Sequence, residues 1–140
     1  MLHIAKLAVG IRDVAHLREV QQRRIEADPP LRHQTRNAPR RRDEVLDGGS
    51  LYWVVAGAMV VRQRILDIRP AQWEDGTACA ALILDPELVA VAGRLTRAFQ
   101  GWRYLEADAA PADILAGAEA GGADALPPAM LRDLQRLGLL

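Results

Sequence analysis

The sequence predicts an α+β fold: a curled or barrel-like, mostly antiparallel sheet with one N-terminal helix and two C-terminal helices. Three observations carry that reading. The middle of the chain, from Leu51 to Leu84, is a series of β-branched, aromatic and alternating runs separated by glycine and Asp-Gly or Asp-Pro breaks. One clear helical stripe precedes this region. After Leu105 the composition turns to alanine and leucine at helical spacing.

Taken in order, residues 2–10 (LHIAKLAVG) alternate loosely and end at a glycine, which suits a first strand. Asp13 is placed to cap a helix whose apolar stripe is Val14, Leu17 and Val20 and which runs to about Ala27, where Pro29 and Pro30 end it. Residues 29–42 (PPLRHQTRNAPRRR) hold three prolines and read as a loop or extended segment. A turn of helix is expected at Arg42–Leu46, before the break at Asp47-Gly48-Gly49. Residues 51–56 (LYWVVA) suit a buried strand. In residues 59–68 (MVVRQRILDI) strand parity puts Arg62 and Arg64 on one face and Val61, Gln63 and Ile65 on the other. Residues 77–84 (TACAALIL) return as another strand, and 87–92 form a short strand or helical turn. These give four to six strands, with Tyr52, Val54, Ile65 and Leu82 as core positions. Pro111 suits the first position of a helix reaching about Ala120. A last stripe of Met130, Leu131, Leu134 and Leu137 follows Pro127-Pro128. We expect one domain over 1–140, with 106–140 as its helical C-terminal extension.

Composition removes several classes. At 140 residues with half of them apolar and 26% charged, the chain is an ordinary globular sequence that needs neither disulfide nor metal to fold. No apolar run approaches the roughly 20 residues of a membrane helix, and the first residues lack the pattern of a secretory leader. With a single cysteine, Cys79, in an apolar run, a cytoplasmic protein with an inert thiol is expected. No phosphate-binding glycine loop or nucleophile elbow is present, and Ser50, the only serine, reads as a turn residue. His3, His16 and His33 are spaced unlike metal ligands. No metal and no cofactor are expected.

Two features point to binding. Net charge is zero, with 18 basic and 18 acidic groups, yet residues 29–42 contain five arginines, His33 and no acid. Only Lys6 among the bases is lysine, a bias that also fits GC-rich coding. Of six aromatics, five fall in two clusters, Tyr52-Trp53 and Phe99/Trp102/Tyr104. Tyr52 and Trp53 must face opposite sides of a strand, so both can be core only if the sheet is covered twice. Arg103 lies between two rings, an arrangement suited to stacking on a planar ligand. The structural alternative is that Trp102 and Tyr104 pin the C-terminal segment to the sheet. The candidate anion- or nucleic-acid-binding set is therefore Arg32, Arg36, Arg40, Arg41, Arg42, Arg62 and Arg64, with Trp102, Arg103 and Tyr104.

Four stretches, LDGGSLYWVVAG (46–57), RQRILDI (62–68), LDPELV (84–89) and AFQGWRYL (98–105), resemble a family of small uncharacterised bacterial proteins, mostly alphaproteobacterial, classed as a domain of unknown function. The resemblance runs to about Pro111 and implies no activity. In layout alone, the basic loop, glycine turn and short strands are similar to PUA-like domains, which implies an RNA-binding barrel. The leading expectation is a non-catalytic module binding RNA or another anionic ligand. An enzyme acting on a small phosphorylated or carboxylated metabolite is a second reading, with Asp43, Glu44, Asp47 or Asp85 as acid or base. A third is a protein-interaction module or homodimer built on the C-terminal leucine stripe.

Overall fold

The computed structural model describes residues 1–114. The chain runs β1 (Leu2–Leu7), α1 (Val14–Ala27), β2 (Arg32–Thr35), α2 (Arg42–Leu46), β3 (Ser50–Val55), β4 (Ala58–Gln72), β5 (Ala78–Leu84), β6 (Val89–Leu95) and β7 (Trp102–Glu106), then one 3₁₀ turn at Ala107–Ala109. It is a mixed α and β structure dominated by one seven-stranded sheet, ordered β2-β5-β4-β3-β1-β7, with β6 also on β4.

The long strand β4 organises the rest. Its hairpin with β3 turns through Ala56 and Gly57, both at positive φ (51° and 83°), the backbone that a two-residue turn between twisted strands demands. β6 pairs with the first part of β4 and β5 with its later part, with a register shift at Ile65–Asp67 between them. Ahead of that shift Arg62 and Arg64 share a face and Val61, Gln63 and Ile65 are buried on the other, as the alternation requires. β1 lies beside β3 in the only parallel pairing among the described strands, and α1 supplies part of the long crossover such a pairing needs. Gly49, entering β3, lets two backbones meet: a Cβ there would lie 2.1 Å from the Leu2 carbonyl oxygen and 2.3 Å from that of Val45.

Both faces of the sheet are covered. One carries Leu2, Ile4, Leu51, Trp53, Val55 and Leu82 and packs under Val14 and Leu17 of α1. The other carries Ala5, Tyr52, Val54, Met59, Val91 and Phe99. Tyr52 and Trp53 are therefore both core, at 4% and 5% exposure, and Val54, Ile65 and Leu82 are buried with them. Asp13 caps α1, its Oδ1 accepting from the His16 amide at 2.7 Å.

Several sequence expectations change. The described residues hold seven strands rather than four to six. The basic segment, read as loop or extended, contains a strand: Arg32–Thr35 pairs antiparallel with β5, because β5 offers an open edge and His33, Gln34 and Thr35 can extend along it. Of the two readings for 87–92, the strand is the one found, running Val89–Leu95. The sheet is not closed into a barrel, since no ladder joins β2 to β7 among the described residues. Residues 111–114 do not start a helix. They run extended along β6, with the Ala92 amide donating to the Ala112 carbonyl (2.7 Å) and the Ile114 amide to that of Ala90 (3.0 Å). The remainder of that expected helix and the final leucine-striped helix lie outside the described residues.

Candidate functional site

The ten residues singled out in the sequence fall into separate settings. Arg32 pairs with Asp28 (2.5 Å) and also donates to the carbonyls of Asp28 and Pro30. Arg41 binds Glu44 at 2.5 Å and Glu106 at 3.1 Å, so its guanidinium is held charged while the Glu44 carboxyl is held below its usual range. Arg42 reaches Asp67 (3.3 Å) and the Ile68 carbonyl. Arg62 makes a two-pronged pair with Asp113, at 2.7 and 2.6 Å. Arg103 lies over the Phe99 ring, 4.5 Å from its centroid. Arg36, Arg40 and Arg64 make no ion pair with any described residue. The acid-free segment thus draws two carboxylates from its immediate flanks, Asp28 and Glu44, and two from afar, Asp67 and Glu106.

The aromatic cluster is engaged with the chain itself. Trp102 and Tyr104 meet edge to face at 4.9 Å. The Trp102 indole donates to the Asn37 carbonyl (3.0 Å), and the Arg41 amide donates to the Tyr104 hydroxyl (3.0 Å). These bonds tie the segment after β2 to β7, the far end of the strand order. Among the acids weighed for catalysis, Glu44 is paired with Arg41, Asp85 accepts from the Glu87 amide within its own turn, and Asp47 lies 3.6 Å from the α-amine. Among the described residues no group of three or more His, Cys, Asp or Glu is placed to hold a metal ion, and no helix is long and apolar enough to cross a membrane.

A different set of residues does converge. Parallel pairing sets Lys6 opposite Trp53, so both point to the face covered by α1. Between α1, the end of β1 and β2 opens a cavity of about 350 Å³ lined by Lys6, Leu17, Arg24, His33, Arg36 and Trp53, among others. It adjoins a second cavity of about 470 Å³ that shares Arg24, His33 and Gln34 and extends to Trp73. The floor is a completed amide network. Gln21 and Gln63 exchange two bonds of 2.8 Å, Gln63 Oε1 also accepts from the Trp53 indole (2.8 Å), and Gln63 Nε2 also donates to the Asp85 carbonyl (3.1 Å).

His33 breaks this pattern of satisfaction. Its ring meets Trp53 edge to face at 5.2 Å, and its Nε2 is buried with no hydrogen-bond partner. Burial, then the charges of Lys6 and Arg24, push its pKa from 6.5 down to about 4. Lys6, Arg24 and Arg36 give the cavity a positive potential, and low-dielectric walls focus such a field on an incoming anion. Of this set, sequence reading named Arg36 as a candidate and counted His33 in the basic segment, but left Lys6 and Arg24 aside. The one available signal was that the chain's only lysine stands on the same strand face as Ile4.

The family model described as "Protein of unknown function (DUF1489)" matches residues 4–140. No curated protein and no solved structure matches the chain.

Proposed function

Because the chain belongs to the DUF1489 family, whose description assigns no activity, we propose from the geometry that it is a non-catalytic module that binds a small organic anion in the cleft between α1 and the sheet. The observation that carries this is the buried, unpartnered Nε2 of His33 in a cavity with Lys6, Arg24 and Arg36. An unmet buried polar atom costs about 1–3 kcal/mol, and because this one is sealed from solvent a ligand recovers that cost only where the ring turns toward it. Lys6 and the two arginines supply charge, and Leu17, Val20 and Trp53 supply apolar wall, the usual make-up of a small-molecule site.

Binding without catalysis is favoured by what lines the cavity. No carboxylate, serine or cysteine faces it among the described residues, and the Thr35 hydroxyl already donates to the Asn37 carbonyl. General acid–base chemistry on a bound metabolite would fall to His33 or Lys6, and His33, its pKa lowered to about 4, is a weak base at neutral pH. The arginine-rich segment contributes Arg36 at the rim, while Arg32, Arg41 and Arg42 are occupied by their own carboxylates.

The test is titration calorimetry at low salt, with Trp53 fluorescence as a second readout, using phosphate, benzoate and phenyl phosphate. We expect at least one organic anion to bind, and Lys6→Met to weaken it tenfold or more, about 1.4 kcal/mol. Absence of binding by all three at millimolar concentration, or binding indifferent to Lys6→Met and Arg24→Gln, would refute the proposal.

A further inference from the structure

On the opposite face of the sheet, cross-strand pairing brings Tyr52 beside Arg62 and Ser50 beside Arg64, with His3 of β1 on the same face. These residues and Asp113 line a cavity of about 380 Å³. Arg62 is the centre of it. Two of its nitrogens hold the two Asp113 oxygens at 2.7 and 2.6 Å, and the third donates to Ser50 Oγ at 3.0 Å. The Ser50 amide in turn donates to His3 Nδ1 at 3.0 Å, which leaves the proton of the neutral ring on Nε2 as a donor. His3 packs edge to face on Tyr52 at 4.9 Å.

The charges here do not balance. Two guanidiniums, Arg62 and Arg64, share the cavity with one carboxylate, and Arg64 pairs with no described acid. The carboxylate arrives on a short extended segment, held to β6 by the two backbone bonds of Ala92 and Ile114. Segments joined by so few bonds open at low free-energy cost. A planar fork that grips a carboxylate in this way grips a phosphate equally well.

We propose that this cavity is a second anion site, for a phosphate monoester dianion, and that Asp113 occupies it as a built-in stand-in that the ligand displaces. A dianion satisfies both Arg62 and Arg64, where Asp113 satisfies one. The hydroxyl of Ser50 and the free N–H of His3 are the remaining donors. Displacing Asp113 frees the 111–114 segment from β6, so occupancy of the site is reported in the backbone. The site is independent of the α1 cleft, being on the other side of the sheet.

A tethered carboxylate competes at an effective concentration in the millimolar range. Asp113→Asn, which keeps shape and removes the charge, therefore tightens binding of methyl phosphate tenfold or more relative to the chain that keeps Asp113, measured by calorimetry. Arg62→Lys weakens it in the Asp113→Asn background, and both comparisons are made in chains carrying Lys6→Met, so that heat from the α1 cleft does not contribute. In the unaltered chain, saturating methyl phosphate speeds hydrogen exchange at the Ala92 and Ile114 amides. The proposal is overturned if Asp113→Asn binds no tighter, if binding ignores Arg62→Lys, or if exchange at those two amides is unmoved at saturation. In each of these cases Asp113–Arg62 is an ordinary structural ion pair.

Discussion

Lowering the pH from 7.5 to 5 perturbs His33. Its folded pKa of about 4 lies below its unfolded value of 6.5. The neutral ring is thus the form the fold accepts, and stability is greatest above pH 6.5. As the pH falls from 6.5 toward 4 the unfolded chain takes up a proton that the folded chain refuses, and stability drops. With these two values the loss is about 2 kcal/mol by pH 5 and about 3 kcal/mol once the pH is well below 4. His3, also lowered by burial and by Arg62, acts in the same direction. The ion-paired carboxylates of Glu44, Asp67 and Asp113 are lowered, so their contributions fade only at more acid pH. Urea unfolding of the unaltered chain and of His33→Gln at pH 7.5, 6 and 5 isolates the His33 part, because the difference between the two curves should shrink by about 2 kcal/mol across that range. Titration of the His33 ring protons by NMR gives the pKa directly, and Lys6→Met should raise it. Parallel stability curves, or a ring that titrates near 6.5, would show that the cleft is neither as dry nor as positive as described.

Two further outcomes test the structure around the cleft. Gln63→Leu leaves the Trp53 indole and the Gln21 carboxamide unpartnered and should cost about 3 kcal/mol or more in chemical denaturation, with Gln21→Leu added to it restoring part of the loss. Trp102→Phe keeps the ring and removes the bond to Asn37, so it should cost about 1 kcal/mol and speed hydrogen exchange or proteolysis around residues 36–41.

The β3–β4 hairpin was legible because three local signals agree there: aromatic and β-branched residues, a glycine turn, and strict alternation that set the faces of Arg62 and Gln63 correctly. Helix α1 was legible from Asp13 and its apolar stripe. β2 was not, since its four residues sit between prolines and become a strand only through the edge that β5 presents more than 40 residues later. Residues 111–114 read as a helix start because proline and alanine suit one locally, whereas the exposed backbone of β6 captured them instead. The candidate site shows the same division. Strand parity could place Lys6 beside Ile4, but the cavity it enters depends on how α1 and β2 are laid against the sheet, and β2 itself was not legible. The arginine segment looked unopposed because its partner carboxylates lie outside it: Asp28 and Glu44 just beyond its two ends, Asp67 in β4 and Glu106 in β7.

The position of β1 between β3 and β7 also sets a timetable for synthesis. β1 spans residues 2–7, its parallel neighbour ends at Val55, and its antiparallel neighbour, β7, ends at Glu106. While the chain is being made, at roughly 5–20 residues per second, β1 waits some seconds for β3 and about as long again for β7. In that interval its outer rim of amides and carbonyls, from Leu2 to Lys6, stays open to any extended chain nearby. Chaperone capture during translation is therefore expected to act on the stretch from β1 to β3 and to lapse once β7 has emerged. A nascent chain halted before Trp102 should associate with other chains where one carried past Glu106 does not.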